Sequence, residues 1–239
     1  MSLSDHVYKR LYILQDKVLE VLNHQLGDYY LTGGTALGRF YLYHRFSDDL
    51  DFFTNHNAAF TKQVNFMYQL LQKQFDIDTG RTVLTPEYVR IWLKDETGLK
   101  LEFVNDVEER WGETIMWKHI PVDNPANILA NKITALLSRD EPKDIIDILI
   151  ISENYSFDWP EVYDHAAKKQ LMSESDVVNR LITFPPEWLV KSAWIKKMPD
   201  KSIFKEKLEI IAKDFLLAGE NTLGMNKKPI SSAKPLLIS

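Results

Sequence analysis

The spacing of apolar residues divides the chain into two parts. Up to about residue 120, segments with helical spacing alternate with short apolar runs that are typical of strands. The predicted helices in this part are 5–26, 34–44 and 58–75, and the predicted strands are 29–32, 50–53, 76–84, 87–94 and 99–105. The sequence DETG between the last two strands predicts a hairpin.

The pattern changes near Pro125 and is helical from Asn127 onward. The segments NILANKITALLSR and KDIIDILIISEN predict two successive helices, with Pro142 in the first turn of the second. Further helices are predicted at 159–170, 174–183, 187–196 and 202–218. We therefore predict an α+β fold in which an α/β domain over residues 1–122 precedes a helical domain over residues 123–225. Residues 226–239 are predicted to be a mobile tail or a docking strand.

Composition narrows the classes of protein without naming one. The 239 residues, 45% hydrophobic and 26% charged, are typical of a globular protein. The absence of cysteine excludes disulfides and thiolate sites. We expect no signal peptide and no membrane span, and hence a cytoplasmic protein. The formal charge of −5 argues against broad electrostatic binding of nucleic acid and leaves room for a local basic patch.

An acidic pair interrupts an apolar segment in the stretch TGGTALGRFYLYHRFSDDLDFF, residues 32–53. Side chains alternate along a strand, so Asp49 and Asp51 are predicted to share one face while Leu50 and Phe52 face the core. Two carboxylates this close repel each other unless a cation lies between them. Mg²⁺, or Mn²⁺ in its place, takes such oxygen ligands. The alternative is a solvated strand end with two exposed acids.

Two further features bear on this pair. Gly33, Gly34 and Thr35 form a turn between a strand and a helix, where the backbone would approach a phosphate closely. The alternative is an ordinary glycine turn with Thr35 as the helix cap. Glu102 lies on the polar face of LKLEFVN and would join Asp49 and Asp51 if the two strands were neighbours. Otherwise it is an exposed sheet residue.

These residues resemble the motifs of the nucleotidyltransferase AbiEii/AbiGii toxin family, within the DNA polymerase beta-like nucleotidyltransferase superfamily. The first block comprises Gly33, Gly34, Thr35, His44, Arg45, Ser47, Asp49, Asp51 and Phe52. The second block, ILANKITALLSRDEPKDIIDIL, supplies Lys132, Arg139, Lys143, Asp144 and Asp147. The family more often has arginine where this chain has Lys143. The resemblance covers roughly residues 28–150.

The resemblance implies a polymerase beta-like core and a transfer of NMP from an NTP to an acceptor, with Mg²⁺ or Mn²⁺. It implies RNA such as tRNA as a candidate acceptor and an antitoxin protein as a candidate partner. The implied catalytic residues are Asp49, Asp51, Glu102, Lys132 and Asp144, with Asp49, Asp51 and Glu102 as the metal ligands. The implied nucleotide-binding residues are Gly33, Gly34, Thr35, Arg45, Ser47, Lys132 and Arg139.

The second block has a physical reading of its own. Lys132 and Arg139 are seven residues apart and share a helix face, where two cations would suit a triphosphate. Asp144 is expected to orient one of them through a charge-assisted hydrogen bond. The alternative is a set of surface salt bridges of little energetic value.

Three other functions remain open at this point. They are a nucleotide- or RNA-binding module without catalysis, a plain interaction protein, and transfer to a small molecule or a protein. The clusters HAAKKQ and KSAWIKK are candidate RNA-binding patches, although each is equally consistent with a solvated helix face.

Overall fold

The computed structural model describes residues 3–236, and within them it contains a seven-stranded mixed sheet with helices. The strands are β1 Tyr30–Thr32, β2 Leu50–Asn55, β3 Val83–Leu84, β4 Tyr88–Trp92, β5 Lys100–Asp106, β6 Ile115–Trp117 and β7 Ile120–Val122. The α-helices are α1 Leu3–Leu22, α2 Gly33–Leu37, α3 Phe60–Gln72, α4 Pro125–Ser138, α5 Pro142–Asn154, α6 Trp159–Lys169, α7 Glu174–Ile182 and α8 Lys201–Leu216. The predicted α+β fold class is confirmed.

The chain folds as two compact units. Unit one comprises Met1–Ala36, Ser47–Glu108 and Thr114–Asp123, and unit two comprises Leu37–Phe46, Glu109–Glu113 and Asn124–Ser239. The domain boundaries drawn from the sequence at residues 122 and 225 stay predictions. Residues 1–2 of the predicted first domain and residues 237–239 of the predicted tail lie outside the described part of the chain.

The sheet belongs to unit one and has the strand order β3-β4-β5-β2-β1-β7-β6. Strands β2 and β5 run parallel side by side, whereas β4 and β5 form the antiparallel hairpin that the sequence predicts. Buried and half-buried positions alternate along β2, so Phe52 is fully buried and stacks on Phe103 of β5 with ring centroids 5.2 Å apart. This apolar layer holds β2 and β5 together and directs their polar side chains to the opposite face.

Unit two is built mainly from α4 to α8. The Asn124 side chain accepts a hydrogen bond from the Asn127 backbone N–H at 2.9 Å, which caps α4 at its start. Pro142 occupies the first turn of α5, as predicted. The fully buried residues Ile133, Ile146 and Phe204 contribute to the core of this unit.

Several segments differ from the sequence-based expectation. The helix predicted at 34–44 ends as an α-helix at Leu37, continues as a π-helical turn over Gly38–Leu42, and stops at Tyr43 with φ of 48°. The prediction of a helix at 187–196 is wrong. Pro186–Lys191 form a 3₁₀ helix, and Trp194 then pairs with Arg45 in extended conformation.

The short strands are the other difference. Of the strand predicted at 76–84, only Val83–Leu84 form a regular strand, with an isolated bridge at Ile77. Strands β6 and β7 were not predicted, because three-residue strands carry too little alternation. Over the described residues, no helix is both long enough and apolar enough to span a membrane.

Candidate active site

The glycine turn of unit one lies directly against an acid of β2. Gly33 has φ of +68°, a conformation that L side chains rarely adopt, and it opens α2. A Cβ atom at this position would lie 2.5 Å from Asp51 Oδ2. Only glycine therefore allows the backbone to approach this carboxylate so closely.

Thr35 and Ser47 link this turn to its surroundings. The Thr35 side chain is fully buried, and its hydroxyl donates a short hydrogen bond to the backbone carbonyl of Asp49. The Ser47 carbonyl accepts a hydrogen bond from Gln15 Nε2 at 3.1 Å, and its N–H donates to the Tyr12 hydroxyl at 3.3 Å. Both residues hold the backbone around the acidic strand, and their predicted contact with phosphate stays a prediction.

The acids predicted to share one site do lie on neighbouring strands. Asp51 and Glu102 are direct register partners in the parallel pairing of β2 with β5. Asp49 precedes β2 by one residue, and its side chain is 32% exposed. We call Asp49, Asp51 and Glu102 the acidic cluster. The sequence left open whether the strand of Glu102 adjoins the strand of Asp51. In the structure the two strands are neighbours.

A lysine and a tyrosine contact the acidic cluster. The Lys100 ammonium lies 2.8 Å from Glu102 Oε2 and 3.1 Å from Asp49 Oδ2. The Tyr88 hydroxyl donates a short hydrogen bond to Glu102 Oε1. Burial opposes the charged form of Glu102, but the hydrogen bonds from Lys100 and Tyr88 outweigh it and lower the pKa of this carboxyl. Burial, followed by the bond to Glu102, raises the pKa of Tyr88 to about 12.

The donor chemistry of the acidic cluster fits a hard divalent cation. Carboxylate oxygens are the ligands that Mg²⁺ and Mn²⁺ prefer, and Mg²⁺ needs only one or two of them together with substrate phosphates. Within residues 3–236, no group of three or more His, Asp and Glu side chains is arranged to hold a metal ion. In the structure the Lys100 ammonium is the cation between Asp49 and Glu102.

Unit two contains a second set of charges, centred on Asp147 of α5. This fully buried carboxylate accepts two hydrogen bonds from Arg45, at 2.8 Å from Nε and 2.7 Å from Nη2. It also lies 2.8 Å from the Lys132 ammonium and 2.9 Å from His44 Nε2. Its pKa is well below the ordinary range, because Arg45 and Lys132 outweigh the effect of burial.

Asp144, one turn earlier on α5, joins the same set. Its carboxylate lies 2.7 Å from Lys132 Nζ and accepts two hydrogen bonds from Arg139, at 2.7 and 3.0 Å. Burial disfavours both charged forms, yet their mutual attraction raises the pKa of Lys132 and lowers that of Asp144. We call His44, Arg45, Lys132, Asp144 and Asp147 the buried network.

The structure thus divides the predicted site residues between the units. Gly33, Gly34, Thr35, Ser47, Asp49, Asp51 and Glu102 belong to unit one, and Arg45, Lys132, Arg139 and Asp144 belong to unit two. Asp144 was expected to bond one of Lys132 and Arg139, and it bonds both. The pair with Lys132 is buried and is not a surface salt bridge, whereas the Arg139 side chain is 55% exposed. The nucleotide and catalytic roles of these residues stay predictions.

Sequence reasoning missed two contacts of the acidic cluster, Lys100 and Tyr88. The signal for Lys100 was available, since residues two apart on a strand share a face and Lys100 precedes Glu102 by two. Tyr88 required knowledge of the pairing between β4 and β5, which places it near Glu102 on the adjacent strand.

Comparison with known proteins decides the family. The model of the family described as "Nucleotidyl transferase AbiEii toxin, Type IV TA system" matches residues 13–213, well over half of the chain. The chain belongs to this AbiEii family. It is therefore a nucleotidyltransferase, in agreement with the resemblance noted in the motifs. A search of curated proteins finds no match.

Two solved structures share the fold of this AbiEii protein, and one of them is described as a nucleotidyltransferase toxin. The nucleotidyltransferase toxin MenT4 from Mycobacterium tuberculosis is 17% identical with a TM-score of 0.61, over 90% of this chain and 84% of that chain. JHP933 from Helicobacter pylori is 20% identical with a TM-score of 0.53, over 84% of this chain and 90% of that chain. At these identities, the likeness concerns the fold alone.

Proposed function

We propose that this AbiEii protein uses Mg²⁺ or Mn²⁺ to move an NMP from an NTP to an acceptor RNA such as a tRNA. We further propose that it acts as the toxin of a toxin–antitoxin pair, with an antitoxin protein as its partner. The family model supports nucleotidyl transfer by a toxin in general. The metal, the nucleotide and the RNA acceptor are the finer parts of the proposal.

The observation that carries the proposal is the register of β2 and β5. It pairs Asp51 with Glu102, while Asp49 stands one residue before β2 and Gly33 lies against the Asp51 carboxylate. In such an arrangement the glycine backbone can approach a phosphate while the adjacent carboxylate binds a metal ion that the same phosphate also coordinates. An ordinary solvated strand end would require none of these close approaches.

The acidic cluster would hold the divalent ion, and Gly33 and Gly34 would approach the phosphates through the backbone. When bound, the ion neutralises negative charge that develops on the phosphate oxygens during transfer. Thr35 and Ser47 position the turn and the strand. In unit two, Lys132 and Arg139 are the proposed nucleotide-binding cations, and Asp144 is the carboxylate that orients both cations.

Incubation with each α-labelled NTP, Mg²⁺ and total cellular RNA tests the proposal directly. We expect label in an RNA band with the wild-type protein and at most a trace with Asp51→Asn. The variant Asp28→Asn, which changes an exposed aspartate outside the acidic cluster, is the matched control and should label as wild type does. Equal labelling by Asp51→Asn would refute the role of the acidic cluster.

The same incubation separates the alternatives. If the label survives nuclease treatment and runs with protein or with a small molecule, that molecule and not RNA is the acceptor. Binding of NTP without any labelled product would identify a module without catalysis. Coexpression with the gene that adjoins this one tests the toxin role, because an antitoxin should restore growth that the protein alone arrests.

A further inference from the structure

Lys100 holds a position in unit one that the chemistry of nucleotidyl transfer does not explain. Its ammonium contacts Glu102 Oε2 at 2.8 Å and Asp49 Oδ2 at 3.1 Å, and only 18% of its side chain is exposed. An ordinary surface lysine makes no such set of contacts.

The strand fixes Lys100 there. Lys100 and Glu102 are two residues apart on β5, so both side chains leave the same face of the sheet. Tyr88 on the adjacent strand β4 binds the other oxygen of Glu102 and so limits the rotation of this carboxylate. Both oxygens of Glu102 are therefore engaged, one by a hydroxyl and one by the ammonium.

Electrostatics explains the arrangement. Adjacent carboxylates repel one another, and a positive charge within about 4 Å favours their ionised forms. The Lys100 ammonium supplies that charge inside the protein, in contact with both Asp49 and Glu102. A divalent ion bound by the same oxygens would be placed beside this ammonium, and the two cations repel each other.

We propose that Lys100 is a built-in counter-cation of the acidic cluster, which competes with a divalent ion for Asp49 and Glu102 and must give up its contacts with both when the ion binds. Lys100 thus lowers the affinity for the metal. The inference rests on the metal site of the proposed function, but it assigns a new role to a residue outside that site.

Titration of Mn²⁺ into the protein without nucleotide, followed by the electron paramagnetic resonance of unbound Mn²⁺, tests this inference. Removal of the competing charge in Lys100→Met should tighten Mn²⁺ binding about tenfold, the smaller end of the effect of one charge on a near neighbour. Lys100→Arg keeps the charge and should bind Mn²⁺ as wild type does. Lys94→Met is the matched control, since Lys94 makes an exposed pair with Asp76 at 3.8 Å.

A second measurement uses the unaltered protein and so does not depend on the folding of a variant. Acetylation of lysines, mapped by mass spectrometry, should modify Lys100 slowly without metal, because its ammonium is largely buried in contact with carboxylates. Saturating Mn²⁺ should speed its modification several-fold while Lys94 is unaffected. An unchanged rate at Lys100, or a slower one, would overturn the inference.

The outcomes distinguish this inference from the proposed function. If wild type binds Mn²⁺ no better than Asp51→Asn, the acidic cluster binds no metal without nucleotide and the role of Lys100 is refuted, whereas the proposed nucleotidyl transfer is still tested separately by the labelling of RNA. If Asp51→Asn loses binding but Lys100→Met binds no more tightly than wild type, only the role of Lys100 is refuted. Tighter binding by Lys100→Met, together with faster acetylation of Lys100 in the presence of metal, supports the role of Lys100.

Discussion

The two charged groups of this protein differ in burial and in balance. In the acidic cluster of unit one, Asp49 is about one-third exposed, Glu102 is one-fifth exposed, and both share the ammonium of Lys100. In the buried network of unit two, Asp147 and Asp144 are enclosed and receive the charges of Arg45, Lys132 and Arg139. The first group carries more negative charge than its lysine offsets, whereas cations surround each acid of the second.

This difference in burial and charge balance indicates that the acidic cluster and the buried network have different roles. A buried charge is tolerated only where it is paired and hydrogen-bonded, so the buried network holds helices α4 and α5 and the segment around Arg45 in one arrangement. An accessible group of acids with excess negative charge is instead ready to accept a cation. We therefore expect substitutions in the acidic cluster to alter chemistry, and substitution of Asp147, which has no proposed role in transfer, to alter stability.

The largest effect is expected for Asp51→Asn. Loss of a metal-binding carboxylate should lower the rate of nucleotidyl transfer about thousandfold, equivalent to about 4 kcal/mol of transition-state stabilisation. The free energy of unfolding should change by less than about 0.5 kcal/mol, as for most accessible positions. Transfer kinetics and urea unfolding on the same preparation measure both. A large loss of stability would remove the contrast between the two groups.

The converse is expected for Asp147→Asn. The substitution leaves Arg45 and Lys132 buried beside a neutral amide, which should lower the free energy of unfolding by about 3 kcal/mol. Asp140→Asn is the matched control, because Asp140 is 69% exposed and pairs with Arg180 at the surface, where a change of about 0.5 kcal/mol is typical. Equal unfolding midpoints in urea for the two variants would contradict a stabilising role for the buried network.

The acidic cluster and the buried network also show which contacts could be predicted from the sequence and which could not. Local alternation placed Asp51 on the opposite face from Phe52, and the structure confirms this. The register that pairs Asp51 with Glu102 joins strands separated by a helix and a hairpin, so no local pattern contained it. The bond from Arg45 to Asp147 spans 102 residues of chain and depends on tertiary packing.

The predictions of the shorter elements failed for a different reason. Strands β6 and β7 have three residues each, and a period of two is not detectable over so short a run. In 187–196 the apolar spacing was compatible with a helix, but Pro185 and Pro186 precede it and the extended pairing of Trp194 with Arg45 ends it early. Tertiary contacts overrode local preference there.

A smaller effect is expected where the glycine turn contacts the acidic cluster. Gly33→Ala introduces a Cβ at a positive φ and 2.5 Å from Asp51 Oδ2, so the carboxylate must move. We expect a loss of about 2 kcal/mol in unfolding free energy, together with slower transfer. Gly98→Ala is the matched control, since Gly98 has φ of +62° with nothing within 4 Å of the added atom. It should lose only the conformational part, about 1 kcal/mol.

If Gly33→Ala and Gly98→Ala lost the same stability and kept the same transfer rate, the close approach to Asp51 would have no functional meaning. A larger loss of transfer than of stability in Gly33→Ala would instead sharpen the comparison. It would show that the position of the Asp51 carboxylate, and not the fold of unit one, limits the reaction.

The smallest effect concerns the pH response of the buried network. Burial lowers the pKa of His44 despite the opposing influence of Asp147, so the folded protein keeps this imidazole neutral. Asp147 accepts the Nε2–H of the imidazole, and His44 Nδ1 has no hydrogen-bond partner among the described residues, as suits the nitrogen without a proton. The unfolded chain takes up this proton below about pH 6.5, whereas the folded chain takes it up only at a lower pH.

The contribution of His44 to stability is thus complete above about pH 6.5 and is lost as the pH falls. Between pH 6.5 and 5.5, the free energy of unfolding should fall with pH by at most about 1 kcal/mol, the limit set by uptake of one proton by the unfolded chain. The lowered pKa values of Asp144 and Asp147 affect stability only below about pH 4, so they do not obscure this range. His44→Gln, which keeps a donor for Asp147, should remove this part of the slope. Parallel losses in wild type and His44→Gln, measured by urea unfolding at each pH, would show that the buried network does not depend on a neutral imidazole.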